Sequence, residues 1–347
     1  MSAPDRDDVL ADWAVGALDD EAVADALDIR LAADPAAAAR AVAMREAAAL
    51  AAQPLAEPPP AFLRGRVLAR ALHERPSGRP AGGGEGLTPI ATYAAGVDRL
   101  ATLLEALPGG AWARPADPYR WTVHGLVAHL LAVERYFGAV IGVPGATWEG
   151  PDADHLAMTE PTVAAEAARS PAETSASWRD AAGRALSRVR ALDPGAPVRF
   201  CGIDLTVASL LVVRAFELWT HADDIRRAAG LPTQDPAPAE LRTMSDTAVR
   251  SLPGMALLAG LDLPPARVRI VLTGAGGGTW DVAVGAYDPV TAEEVRRGPE
   301  RAAIVADVAD YCRVAARRVD VDRVAVSVTG DRGLARTLLV AAQAIAV

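Results

Sequence analysis

The segment RAFELWTHADDIRRAAG, residues 214–230, sets a carboxylate, Glu217, four residues before an imidazole, His221, in a helical pattern whose stripe includes Leu210, Val213 and Leu218. Side chains at that spacing lie about 40° apart and one turn along, close enough to grip one ion. Polar groups on a core stripe cost free energy unless something satisfies them. The chain holds five histidines: His73, His124, His129, His155 and His221. Two of them fall in WTVHGLVAHL, where the step from His124 to His129 turns a helix by roughly 140°. His129 therefore shares the inward side with Leu126 and Val133, and His124 falls in the first, exposed turn. His129, Glu217 and His221 make a His₂Glu set. Three protein ligands and one open position is the pattern of catalytic zinc, whereas four ligands close a structural site. Nitrogen and oxygen donors also suit Ni, Co, Mn and Fe, so zinc is favoured only by ligand type and availability. The competing reading is a solvated face. Arg214 could pair with Glu217 at the surface, and Asp223 and Asp224 after His221 suit an exposed helix end.

Four helical patterns between 88 and 230 would position these residues. Thr88-Pro89 opens the first as N-cap and first helical residue, and it runs to about Leu107. Thr122 caps the second, which ends near Gly142. Ser170-Pro171-Ala172-Glu173 is a capping box for the third, which fades near Leu192. Asp204 or Thr206 starts the fourth, and Gly230-Leu231-Pro232 stops it. Four such helices predict an antiparallel bundle. The connection at 143–169 is long enough to be a lid or a substrate-facing segment.

On either side of the bundle the pattern changes. Residues 1–75 read as short helices, with a Pro-interrupted stretch and a basic amphipathic helix at their end. Residues 76–87 are a Pro/Gly-rich linker, and 88–234 are the bundle. In 235–347, ARVRIVLTG, TWDVAVG and DRVAVSVTG read as strands, with helical patterns at 236–251, 301–317 and 332–345. The GAGGGTW stretch lacks the GK[ST] and helix start of a phosphate cradle and reads as a hairpin loop. The expected fold class is α+β and multidomain: a small helical domain, a four-helix bundle and a C-terminal α/β domain.

The bulk numbers narrow the function classes. All 35 basic residues are arginine, and the formal charge is −9, which argues against a nucleic-acid partner. The acidic N-terminus is no secretory signal, and the longest apolar run, 207–213, is too short to span a membrane. The two cysteines, Cys201 and Cys312, form no metal-binding pair or disulfide framework. A cytoplasmic protein without a membrane partner is expected.

WTVHGLVAHL and FELWTHADDIRRAAG together resemble the mycothiol-dependent maleylpyruvate isomerase family over roughly 88–347. That resemblance implies a DinB-like metal-binding bundle and a sterol-carrier-like C-terminal domain. It implies a ligand set on His129, Glu217 and His221, with mycothiol as cofactor beside a divalent metal, zinc first among them. It also implies a functional arginine in the C-terminal domain, for which Arg318 is the candidate and Arg317 the neighbouring alternative. LADWAVGALDDEAVADALDIRLAADPAA resembles the anti-sigma factor domain. That domain's zinc positions fall here on Arg30, Asp34 and Ala37, none of which ligates zinc. A sigma factor is the partner this second resemblance implies.

The expected function is a metal- and mycothiol-dependent S-transferase or isomerase acting on a small electrophile. Two alternatives stand beside it. One is a regulator joining an anti-sigma-like arm to a metal- or thiol-sensing bundle. The other is a metal-dependent hydrolase that uses bound water.

Overall fold

A computed structural model describes residues 6–15, 17, 20–52, 67, 70, 71, 74–78, 84–150 and 155–345. It divides into two units, Met1–Ala69 and Arg70–Val347. The first unit holds α1 (Arg6–Val15), α2 (Glu21–Ala33) and α3 (Pro35–Ala52). Asp20 caps α2 by accepting from the Ala22 and Val23 amides, and Asp34 accepts from Ala36 and Ala37 at the start of α3. Leu10, Leu27 and Ala41 form a small core with Trp13 and Met44 packed on it. Of the three zinc-equivalent positions, Asp34 is thus a helix cap and Ala37 a buried packing residue. The Pro-interrupted stretch and most of the basic segment after it lie outside the described residues.

The second unit begins its regular structure with four long helices: α4 (Pro89–Ala106), α5 (Val123–Val140), α7 (Pro171–Val189) and α8 (Val207–Ala229). Their ends follow local chemistry. Thr88, Thr122 and Thr206 accept amide hydrogens at three N-termini, and Ser170 with Glu173 forms the capping box at the fourth. Gly230 ends α8 at φ 73°, a left-handed conformation that costs a side-chain-bearing residue more. α4 packs chiefly on α8, and α5 on α7. Two pieces of local structure were not anticipated. A short helix, α6 (Glu160–Glu166), lies inside the long 143–169 connection, of which 151–154 fall outside the described residues. A hairpin of β1 (Pro197–Phe200) and β2 (Ile203–Thr206) joins α7 to α8.

The remaining elements are α9 (Pro238–Leu258), β3 (Ala266–Thr273), β4 (Gly278–Val284), α10 (Pro289–Arg297), β5 (Glu300–Asp307), α11 (Val308–Ala315), β6 (Val326–Gly330) and α12 (Arg332–Ala342). Sheet order is β4-β3-β5-β6. β3–β4 and β5–β6 are antiparallel and β3–β5 is parallel. The glycine-rich stretch is the β3–β4 hairpin loop. The helical pattern expected over 301–317 is instead strand β5 followed by α11. β5 has Ala302, Ala303 and Ile304 buried in succession, so both of its faces are covered and its residues are apolar without a strict alternation, and Asp307 then caps a helix of separate periodicity. The chain is α+β and multidomain.

Two features bear on the site. α8 feeds both apolar cores of this unit: Leu210, Leu211, Leu218, Ala222 and Ile225 join the bundle core, and Val212, Phe216 and Trp219 join the α/β core. The described ends of the segment expected as linker are also tied down. The Gly78 amide donates to Thr279 O at 2.8 Å, and the Leu87 amide donates to Ala239 O at 3.1 Å. Among the described residues, no helix is long and apolar enough to cross a membrane.

Candidate metal centre

α5 and α8 bring His129, Glu217 and His221 together. Glu217 Oε1 lies 3.5 Å from His129 Nε2 and 4.0 Å from His221 Nε2, and the three ligand atoms are all within 4.8 Å of one another. The imidazoles are buried, with His129 1% and His221 3% exposed. Neither His129 Nε2 nor Glu217 Oε1 makes a hydrogen bond, although both atoms are buried.

The outer nitrogens fix the tautomers. Thr159 donates its hydroxyl hydrogen to Leu156 O at 2.8 Å, so at 3.0 Å it can only accept from His129 Nδ1. Asp224 Oδ2, a carboxylate oxygen, accepts from His221 Nδ1 at 3.2 Å. Each imidazole therefore turns a bare Nε2 lone pair toward a carboxylate oxygen. Three electron-rich atoms facing one another in a buried space repel unless a cation lies between them. Two atoms each about 2.0–2.2 Å from one tetrahedral zinc are about 3.4 Å apart, which the Glu217–His129 pair at 3.5 Å matches, while the Glu217–His221 pair at 4.0 Å would draw in on an ion. The residues present fit a divalent metal.

Electrostatics agree with the tautomers. Burial, then the neighbouring His221 and His155, hold the His129 imidazole well below its ordinary pKa. Burial also lowers that of His221, against an opposing pull from Asp224. Both rings are thus neutral at pH 7, the form that ligates metals. Glu217 keeps its second oxygen on Arg214, which also donates to Glu134 Oε2 at 2.7 Å, and Tyr93 donates to the other oxygen of Glu134. Arg214 and Glu134 are fully buried. The Arg214–Glu217 pairing read from the sequence is present, but it stands in the core and not on a surface stripe.

Asp224 is likewise no part of a solvated helix end. It is buried, and Arg318 grips it with Nε at 3.1 Å and Nη2 at 2.8 Å, while Arg318 Nη2 also donates to Tyr119 Oη at 2.8 Å. Burial pushes the Asp224 carboxyl up, but His221 and Arg318 outweigh it and leave it below its ordinary value. Arg318 therefore stands behind His221 through one carboxylate. Arg317 turns away at φ 56° and donates to Gln343 O at 2.9 Å. His124 joins none of this. It is half-buried, not exposed as expected, and its Nε2 pairs with Thr174 Oγ1 at 3.0 Å between α5 and α7.

Several site residues carried no readable signal. Trp121 stacks on the His129 ring at 4.8 Å, and Tyr119 lies 5.4 Å from His221, so aromatic rings wall the cluster. His155, from the long connection, places Nε2 3.3 Å from Glu217 Oε1. Its only trace in the sequence is a histidine inside a segment long enough to face a substrate.

Fold and site together define a helix bundle with a buried imidazole–carboxylate cluster of metal-ligand type. Residues 93–226 match the family described as mycothiol maleylpyruvate isomerase N-terminal domain, and this stretch of the chain belongs to that domain family. Among solved structures, the crystal structure of the mycothiol-dependent maleylpyruvate isomerase is 16% identical, with a TM-score of 0.46, and covers 69% of this chain and 91% of that chain. A histidine-to-alanine mutant of that isomerase aligns over the same shares at 15% identity and a TM-score of 0.45. No individually curated protein matches the sequence.

Proposed function

We propose that the chain is a metal-dependent, mycothiol-dependent isomerase or S-transferase for a small electrophile, with zinc as the ion. The observation that carries this reading is the pair of buried, unbonded atoms, His129 Nε2 and Glu217 Oε1, facing His221 Nε2. The family of residues 93–226 supplies the identity of the thiol. When bound, the cation supplies the charge that makes a thiol a thiolate at neutral pH, where a free thiol of pKa about 8.5 is only a few per cent ionised.

The chain's own residues do the rest. His129, Glu217 and His221 hold the ion, and Thr159 and Asp224 keep the two imidazoles in the ligating tautomer. Trp121 and Tyr119 keep water from one side of the cluster. Arg318 holds Asp224 in place, and its Nη1, which gives one hydrogen to Ala316 O at 3.1 Å, keeps a second for an anionic substrate group. Reversible addition of thiolate to a conjugated double bond makes that bond single. Rotation followed by expulsion of the same thiolate restores the double bond in the other geometry.

The test uses full-length, zinc-loaded protein with mycothiol and maleylpyruvate, followed by absorbance. Turnover should require both zinc and thiol. Thiol-independent turnover would favour the hydrolase, and no turnover together with capture of a sigma factor would favour the regulator. Removing residues 1–69, a cut that spares the ties at Gly78 and Leu87, should leave kcat within a few-fold.

A further prediction concerns Arg318. Arg318→Ala should weaken metal retention by roughly 10–100-fold, the cost of losing an outer partner of a metal ligand. Arg318→Lys should recover little, because a point charge cannot replace a two-pronged grip on Asp224. Competition with a chromophoric chelator measures both, and unchanged retention in Arg318→Ala would remove Arg318 from the site's support.

A further inference from the structure

The guanidinium of Arg318 carries one N–H on Nε and two on each terminal nitrogen. Nε and one hydrogen of Nη2 grip Asp224 at 3.1 and 2.8 Å. The second hydrogen of Nη2 goes to Tyr119 Oη at 2.8 Å, and one hydrogen of Nη1 goes to Ala316 O at 3.1 Å. A single Nη1 hydrogen is left over. Tyr119 Oη accepts from Arg318, so its own hydrogen can be donated, and no acceptor for it stands among the described residues. A phenol of pKa about 10 keeps that hydrogen at neutral pH. Two unused donor hydrogens therefore sit on two groups that touch each other, and one of those groups is a cation.

Their surroundings suit a ligand. Tyr119 comes from the irregular chain before α5 and is half-buried. Its ring stacks on Trp121 with centroids 5.4 Å apart and lies 5.4 Å from the His221 ring, so the pair of donors borders the cluster. Asp224 also accepts from Arg227, so two guanidinium groups share one carboxylate and Arg318 is only partly neutralised by it. A role for Tyr119 as a prop under Arg318 accounts for less. Asp224 already fixes the guanidinium through two bonds, and a prop would use the phenol oxygen while leaving its hydrogen idle. The two oxygens of a carboxylate can accept both hydrogens together, as charge-assisted bonds.

We propose that Tyr119 is a specificity-determining residue that touches the substrate: its hydroxyl and Arg318 Nη1 together bind a carboxylate of the electrophile. The inference rests on the reaction proposed above and names its substrate class, a conjugated carboxylic acid. It also separates the roles of two neighbours. Arg318 supports the ligand His221 through Asp224, whereas Tyr119 makes no hydrogen bond to Asp224 or to His221 and acts on the substrate.

Maleate is the probe, titrated by calorimetry into full-length protein in zinc-loaded and chelated forms. The chelated form removes direct ligation of maleate to the ion. Zinc-loaded protein is also assayed with maleylpyruvate and mycothiol. Tyr119→Phe keeps the ring and removes the hydroxyl. It should weaken maleate binding roughly tenfold in both forms, as loss of one hydrogen bond to a charged group does. KM should rise by a similar factor while kcat falls less than about threefold. Zinc retention and melting temperature should match those of the wild type. Unchanged maleate affinity in Tyr119→Phe, or no maleate binding to the wild type, would overturn the assignment. Loss of maleate binding together with an equal loss of zinc retention would make Tyr119 a prop for Arg318 and overturn it as well. Maleate binding that depends on Tyr119, in a protein that turns over nothing with mycothiol, would bring down the proposed reaction and leave the carboxylate site standing.

Discussion

His129→Ala and His221→Ala proteins are expected to emerge from dialysis almost free of divalent metal, whereas His124→Ala should keep about one ion per chain, as a single three-ligand site requires. Zinc held by protein side chains is worth on the order of 10 kcal/mol at neutral pH, so loss of one ligand in three should cost roughly 3 kcal/mol, about two orders of magnitude in affinity. Thiol-dependent turnover should fall with the metal. The variants should still fold, because the bundle core around Leu126, Leu130 and Leu218 does not depend on the ion. Elemental analysis decides the matter. Equal depletion in His124→Ala, whose ring faces Thr174 instead of the cluster, would overturn the assignment of which histidine on α5 binds.

Arg214→Met should be the most damaging substitution for stability. It removes a fully buried arginine that bridges two carboxylates, the fully buried Glu134 and the nearly buried Glu217. Glu134 would keep only the Tyr93 hydroxyl against the cost of a buried charge. Breaking such a pair from one side costs about 3–5 kcal/mol, and the melting temperature should drop by roughly 10 °C. The double variant Arg214→Met with Glu134→Leu should recover at least half of that loss, because it removes the stranded charge along with its partner. Calorimetry on chelated protein separates this from metal loss. A double variant no more stable than the single one would show that the damage lies in packing around Arg214, not in charge.

What could be read in advance was local. Thr88, Ser170 with Glu173, and Gly230 act on the amides and carbonyls beside them, and each marks its helix end as its residue type predicts. The spacing of Glu217 and His221 and the inward turn of His129 follow from helix geometry alone. Burial of Arg214 did not follow, because its partner Glu134 lies 80 positions away on another helix and no local pattern joins the two. Asp224 looked solvated for the same reason: Arg318, 94 positions on, brings the contact that buries it. His155 comes from irregular chain, where periodicity says nothing of direction. β5 reads as helix because its alanine-rich run, with consecutive residues buried on both faces, lacks the alternation that would reveal a strand.

The double membership of α8 has a bearing on how a substrate reaches the cluster. Its Val212, Phe216 and Trp219 are sealed against the α/β core while Leu210, Leu218 and Ile225 are sealed against the other helices. Parting the two halves like a clamshell would expose the first three side chains to water at about 1.5–3 kcal/mol each, a total of about 5 kcal/mol or more. Such an open form would be populated by fewer than roughly one molecule in a thousand. Traffic must instead pass where the wall is made of irregular chain: the approach to α5 that carries Tyr119 and Trp121, and the connection that carries His155. Exchange of ligand at this centre should therefore be set by side-chain and loop motions of nanoseconds to microseconds, and not by slower rigid-body hinging.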